Sequence, residues 1–363
     1  MKAQCLFLAV IACVLLSACH TQATSGFNSI VVDRTETSRQ VAKRFLRARS
    51  MGNIEEMRAV VSPGAHLALQ VAGVYSPGLR AFPNGTFWDR ESMLEAEAEF
   101  RRELVGPLSI EILSLIAEDD RVAAEVLEYG IRASTQRAYT QHYSYHFLVK
   151  GGQISDIRLY QDTFLLWSTW STVGVSPTPP YQIRTVDGST ALGREDVAAF
   201  RPGASGERIN TNKDVVRRFL LAVPSGDIQS ARDAWATDGV WCFAVGGRYS
   251  RYLRAFEGAP RWTVEEMLSM QQRALRDLRE PMTLDIYPDS LVAEGDQVSV
   301  EAVAFLVRPN GRAYRQHYSI HFTLRNGKLV EGHVYQDTLH QYDVKLSHPG
   351  DVPIVASTSG LKG

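Results

Sequence analysis

Between residues 39 and 51 apolar positions return at helical spacing, which predicts a first helix. A short second helix follows Gly52-Asn53, and a longer one is predicted over 89–104 with Asp89 as its N-cap. Strand patterning then takes over, roughly at 107–117, 120–130, 137–149 and 153–163. The same order comes again further on. A long helix is predicted from about Thr263, where Glu266 three residues later spells a capping box. Strands follow near 282–292, 296–307, 312–324 and 328–338. The triplets "PNG" at 309–311 and "RNG" at 325–327 predict tight hairpin turns, because Asn-Gly accepts the positive φ such turns need. Helices first and strands after predict α+β domains, each with three helices packed on one face of a curved, mainly antiparallel sheet.

The pattern recurs because the chain is written twice. "RAYTQHYSYHF" at 137–147 returns as "RAYRQHYSIHF" at 312–322, with nine of eleven residues identical at an offset of 175. "VAKRFLRARSMGNIEEM" from Val41 matches "VVRRFLLAVPSGDIQSA" from Val215, Trp88 and Met93 match Trp262 and Met267, and both copies end in "YQDT". The order never changes, so two copies of one domain of about 130 residues account for it, and the long period excludes a solenoid of small repeats. Residues 39–170 form the first expected domain and 211–343 the second. Residues 171–210 between them are rich in Pro, Gly, Ser and Thr and read as a linker. Residues 20–38 read as a polar tether and 344–363 as a frayed tail.

Composition changes this picture mainly at the N-terminus. Residues 1–19 carry Lys2, then the apolar run "LFLAVIACVLL", then small residues, and read as a cleaved secretion signal. Its end, "LSAC" at 16–19, resembles the bacterial lipobox. That resemblance implies a lipid on Cys19, and His20 after it implies the outer membrane, facing the periplasm, in a cell with two membranes. Membrane contact would then run through the N-terminal lipid alone, since no second apolar run is long enough to span a bilayer. Cys5 and Cys13 leave with the signal and lipid occupies Cys19, so Cys242 has no disulfide partner. Its setting, "GVWCFAV", predicts a buried core thiol. The 39 Lys and Arg balance 40 Asp and Glu for a net charge of −1, with no basic stripe, which argues against a nucleic-acid partner.

Three helices followed by a meander ending in "QHYSYHF" and "GGQISDIRLYQDT" resemble the SnoaL-like group of the nuclear transport factor 2-like superfamily, over both repeats. The resemblance implies cone-shaped domains with a pocket between sheet and helices, and no cofactor. Family members pair through their sheets, so a tandem copy implies an intramolecular pseudo-dimer. They include polyketide cyclases, ketosteroid isomerase, limonene epoxide hydrolase, dehydratases and proteins with no chemistry. This chain departs from the catalytic patterns. The isomerase-type Asp has no counterpart in "PGAHLALQV" or "DGVWCFAV", the Glu of the usual final Glu-Tyr-x-Asp is Leu159 or Val334, and the Asp–Arg–Asp set of epoxide hydrolases is not visible.

Counting outward from the turns gives an expected register. Arg325 opposite Lys328 brings Tyr318 opposite Tyr335, Gln316 opposite Asp337 and Ile320 opposite His333. Lys150 opposite Gln153 brings Tyr143 opposite Tyr160, Gln141 opposite Asp162 and Tyr145 opposite Arg158. The Asn310-Gly311 turn places Glu301 opposite Ile320 on the same face, with Glu125 equivalent after a small bulge. This face is the expected pocket, in which the Gln and Tyr residues, Arg158 and His333 contact ligand. Asp162, Asp337, Glu125 and Glu301 are the candidate acids and bases, since an apolar setting raises a carboxylate pKa; the alternative for each is a structural, hydrogen-bonded acid. The opposite face, with His142, Ser144, His146 and Gln161 and their counterparts His317, Ser319, His321 and Gln336, is expected to pack on the other repeat or meet solvent. "HYSYH" does not read as a metal site, because its two His lie roughly 13 Å apart along a strand and ligands of one zinc each sit about 2 Å from it. Two functions remain open. One is an envelope lipoprotein that binds small, largely apolar molecules or a partner segment without catalysis. The other is a cofactor-free isomerase, cyclase, dehydratase or hydrolase, in which a carboxylate acts as base and a Tyr donates to the developing oxyanion.

Overall fold

The structure is a computed structural model. It describes residues 36–69, 87–134, 136, 138–163, 211–243 and 261–338, the last without 277, 279, 288, 309, 310 and 312. Cys19, the expected linker and tail, and the Pro-Asn pair of the 309–311 turn lie outside the described residues.

The first repeat runs α1 (Ser38–Met51), α2 (Ile54–Val60), β1 (Val61–Leu69), β2 (Phe87–Asp89), α3 (Arg90–Arg102), β3 (Ser109–Glu118), β4 (Arg121–Ile131), β5 (Ala138–Lys150) and β6 (Gln153–Gln161). Its helices start and stop where local chemistry dictates. Thr37 and Gln40 form a reciprocal capping box, and Gly52 ends α1 at φ 66, a backbone state that only Gly adopts cheaply. Asn53 caps α2, and Asp89 caps α3 by accepting the Ser92 N–H at 2.8 Å.

The second repeat runs α4 (Thr211–Ser225), α5 (Ile228–Asp233), β7 (Trp235–Phe243), β8 (Arg261–Thr263), α6 (Val264–Arg276), β9 (Thr283–Ile286), β10 (Val292–Glu294), β11 (Gln297–Val307), β12 (Ala313–Arg325) and β13 (Lys328–Gln336). The strand expected over 282–292 is split into β9 and β10, with Asp289 at φ 55 between them. The capping box of α6 forms as expected: Thr263 N–H donates to Glu266 at 2.8 Å, and Glu266 N–H donates to Thr263 Oγ1 at 3.3 Å. Thr263→Ala should cost about 1 kcal/mol and Thr263→Ser almost nothing, as read from urea midpoints.

The strand orders are β2-β1-β6-β5-β4-β3 and β10-β11-β12-β13-β7-β8, with β9 also paired to β11. β1 runs parallel to β6 and β7 parallel to β13, while the other pairings are antiparallel. The helices cover one face of each sheet, giving two α+β repeats. The cores differ in filling. In the first repeat Phe45 meets Phe147 edge-on at 5.7 Å. In the second, Phe219 meets Trp235, Trp241 and Phe322 at 5.4, 5.9 and 5.9 Å. The two Trp stand where the first repeat has Val61 and Leu67. Gly332 makes room for them, since a Cβ there would lie 2.8 Å from the Trp241 ring.

The hairpin turns form as counted, with Lys150 opposite Gln153 and Arg325 opposite Lys328, but the register beyond them differs from expectation. One extra residue, Ser155 in β6 and Val330 in β13, bulges out two pairs after each turn. Tyr160 therefore faces Ser144 rather than Tyr143, Arg158 faces His146 rather than Tyr145, Tyr335 faces Ser319 rather than Tyr318, and His333 faces His321 rather than Ile320. Glu301 likewise faces Ser319 rather than Ile320, because β11 and β12 are joined by residues 308–312 rather than by a two-residue turn. Glu125 faces Ser144 and so remains its equivalent. A one-residue shift moves a side chain to the other side of its sheet.

Candidate functional site

The shift divides the expected pocket between two places. Glu125, Arg158 and Tyr160, with Glu301, His333 and Tyr335, join the Ser and His residues on the side of each sheet that meets the other repeat. At the centre Ser144 Oγ lies 2.8 Å from Ser319 Oγ. His321 Nε2 reaches Ser144 at 2.7 Å, and His146 Nε2 reaches Ser319 at 2.8 Å. Flanking this, Arg158 Nε and the Tyr160 hydroxyl donate to Glu301 Oε1 at 2.8 and 2.7 Å. In mirror fashion the Tyr335 hydroxyl donates to Glu125 Oε1 at 2.9 Å, and His333 Nδ1 lies 2.7 Å from the same oxygen. The Thr163 hydroxyl donates to Asp337 and the Thr338 hydroxyl to Asp162. At the rim Glu118 accepts the Ala293 N–H at 2.9 Å and Glu294 accepts the Ala117 N–H at 3.0 Å. Each contact is repeated with the partners exchanged, as in an isologous interface, where one surface must be self-complementary. The eleven-residue stretch is present twice because both sides of this contact need it.

The electrostatics follow from burial beside fixed partners. Burial works against the Glu125 carboxylate, but the imidazoles of His321 and His333 more than offset it and hold its pKa at about 2, where an apolar pocket would have raised it. Burial pushes the pKa values of His146 and His321 down, although the Glu125 carboxylate pulls that of His321 back up. Burial and the neighbouring carboxylates hold Tyr160 and Tyr335 in the protonated, donating form. For His333, burial is outweighed by hydrogen bonds to Cys242 and Glu125, and its pKa is pushed up to about 11. Cys242 is thus not the enclosed core thiol that its apolar flanks suggested; it is partly exposed beside an imidazole.

The remaining candidates point inward. Tyr143, Gln141 and Tyr145 face the helices of the first repeat. Gln316 and Tyr318 lie in the second, where Tyr318 OH is 3.2 Å from Tyr314 OH. Inside the first repeat the structure assembles a charged cluster that the sequence reading missed. Arg49 of α1 donates from Nε to Glu97 of α3 at 3.0 Å, from Nη1 to Glu128 of β4, and from Nη1 to Tyr145 OH at 3.0 Å. Tyr145 donates to Glu128 Oε1 at 3.1 Å, and burial lifts its pKa to about 12. Arg101 Nε donates to Glu97 at 2.9 Å. The Arg49 guanidinium lies 5.8 Å from the Phe100 ring centre and 5.9 Å from that of Tyr143. Glu128 is fully buried, and it stands directly opposite Gln141 across β4 and β5. Glu128 Oε2, Gln141 Oε1 and Arg101 Nη2 are buried with no hydrogen-bond partner among the described residues. The second repeat has Val223, Gln271, Leu275, Ala304 and Ile320 at the positions of Arg49, Glu97, Arg101, Glu128 and Tyr145, so the cluster belongs to one repeat only. Its signal was available: Arg49 and Glu97 each lie four residues after a core position, Phe45 and Met93, on the apolar side of a helix.

No protein-family model and no curated protein matches the chain. Solved structures are similar to part of it. Wild-type IdmH from Streptomyces antibioticus, a candidate polyketide cyclase, is 21% identical over 37% of this chain and 97% of its own, with a TM-score of 0.31. An NTF2-like protein of unknown function from Burkholderia pseudomallei is 20% identical over 38% of this chain and 98% of its own, at 0.32. An LEH-like epoxide hydrolase from M. tuberculosis is 16% identical over 37% of this chain and 87% of its own, at 0.29. Each alignment is about as long as one repeat; the α+β class rests on the sheet orders and helix packing above.

Proposed function

We propose that the first repeat binds one small, largely apolar molecule carrying a hydrogen-bond donor, between α1, α3 and the inner side of β4 and β5, and does not transform it. The second repeat, filled with Trp235 and Trp241, serves as its fixed partner. The observation that carries this reading is the pair of buried acceptors, Glu128 Oε2 and Gln141 Oε1, that no described residue satisfies. A buried polar atom left without a partner costs about 1–3 kcal/mol, so a hydroxyl or amine of a ligand fits there. Arg49 donates to Glu128 and Tyr145 is held protonated, so both groups are engaged with each other, which favours binding over proton transfer. The other candidate bases, Asp162, Asp337, Glu125 and Glu301, are engaged between the repeats. The leader and "LSAC" support a lipid anchor on Cys19 and a place in the cell envelope, at the outer membrane facing the periplasm.

Native mass spectrometry of the chain taken from its own membranes tests this. One small-molecule mass per chain is expected, lost in Gln141→Leu and kept in Tyr318→Ala. Two equivalents, or loss in the second variant alone, would overturn the assignment to the first repeat. Conversion of the released molecule by the wild-type chain would replace carriage with catalysis.

A further inference from the structure

The two repeats meet the same electrostatic demand with different chemistry. Buried Glu301 faces Arg158, a permanent cation, at 2.8 Å. Buried Glu125, its equivalent, faces His333 at 2.7 Å. Around His333 lie further groups that the first repeat lacks. Cys242 of β7 stands directly across from His333 of β13, and Glu331 precedes His333 by two residues, so all three project from one side of the sheet. The first repeat has Ala68, Asp156 and Arg158 at these positions. The sulfur, a carboxylate oxygen and an imidazole nitrogen of Cys242, Glu331 and His333 lie within 4.8 Å of one another. His333 Nε2 is 3.1 Å from Glu331 Oε1, and both side chains are 34% exposed, open to an ion from solvent.

We propose that Cys242, Glu331 and His333 bind one divalent transition-metal ion of the zinc class, His333 through Nε2, with Glu125 of the other repeat holding its Nδ1–H. One thiolate, one imidazole and one carboxylate suit zinc or cobalt(II), not calcium or magnesium, which take oxygen ligands. The Glu125–His333 bond is the second observation that points to a metal. A carboxylate on one imidazole nitrogen fixes the ring and leaves the other for the ion, an arrangement that metal-binding His residues almost always show. Nε2 here is turned toward Glu331 and away from Glu125. Ligand atoms around a tetrahedral zinc lie roughly 3.3–3.8 Å apart, so the site closes by about 1 Å on binding, within reach of side-chain rotation. Binding displaces the protons of the Cys242 thiol and of His333 Nε2 to solvent. Three protein ligands leave a fourth position for water or an incoming group. The site is separate from the interior of the first repeat and does not depend on what binds there.

The test uses the full chain in mild detergent with Cys5→Ala, Cys13→Ala and Cys19→Ala, which leaves Cys242 as the sole thiol. Titration with cobalt(II) should give a near-ultraviolet thiolate-to-metal band and intense visible bands, complete at one equivalent and erased by one equivalent of zinc. Cys242→Ser should remove the near-ultraviolet band, and Glu125→Gln should weaken affinity about 10- to 100-fold. His333→Arg copies the first repeat and keeps a cation opposite Glu125, so it should fold normally by circular dichroism and bind no cobalt. No band at saturating cobalt, or an unchanged band in His333→Arg, would overturn the proposal.

Discussion

Arg158→Ala should lower the stability of the chain by roughly 3 kcal/mol, more than any exposed ion pair could account for. Glu301 is completely buried, and the substitution strips its guanidinium while leaving the Tyr160 hydroxyl. An unpaired buried charge costs about 3–5 kcal/mol; the lower end applies because the Arg158 side chain keeps 26% exposure and its pairing is partly screened. Adding Glu301→Gln to Arg158→Ala should recover part of the loss, because the stranded charge is gone. Urea midpoints for the wild type and both variants decide it. A shift within about 0.5 kcal/mol, the scatter of ordinary surface changes, would mean that this pair does not hold the repeats together.

Arg49→Met should cost a similar amount, about 3–4 kcal/mol, and should act on the other side of the sheet. Glu97 retains Arg101, but Glu128 is left with Tyr145 alone in a dry interior and should take up a proton at neutral pH. Adding Glu97→Gln and Glu128→Ala, the residues of the second repeat, should restore most of the stability, since a buried charge cluster replaced together is often neutral. The same triple variant should bind no ligand mass. Denaturation and native mass spectrometry on one set of proteins separate the two effects. Recovery of stability with retained ligand would place the binding site elsewhere.

Much of the architecture was legible in the sequence because its signals are local. The duplication, the helices with their caps at Asp89 and Thr263, and the turns at 151–152 and 326–327 all follow from neighbouring residues. The faces were not legible by counting from the turns, because a single bulge inverts everything beyond it. A trace of that bulge is present: the buried Ile154 and Ile157 are three apart, as are Leu329 and Gly332, which strict alternation forbids. The roles of Asp162 and Asp337 were hidden for a different reason. Each is bound by a Thr about 175 positions away, and spacing along the chain carries no sign of such a partner. The same holds for Cys242, which meets His333 only through the parallel pairing of β7 with β13.

Carrying both surfaces of an isologous contact on one chain has a consequence for how the protein behaves at low abundance. Separate copies would come apart on dilution, whereas tethered halves see a local concentration set by chain length and not by expression level. The melting temperature should therefore not vary with protein concentration. Fusion also lifts a constraint on variation. In a homodimer every mutation is imposed on both sides at once; here position 158 became, or remained, Arg while position 333 is His, and the pair evolved as two residues instead of one.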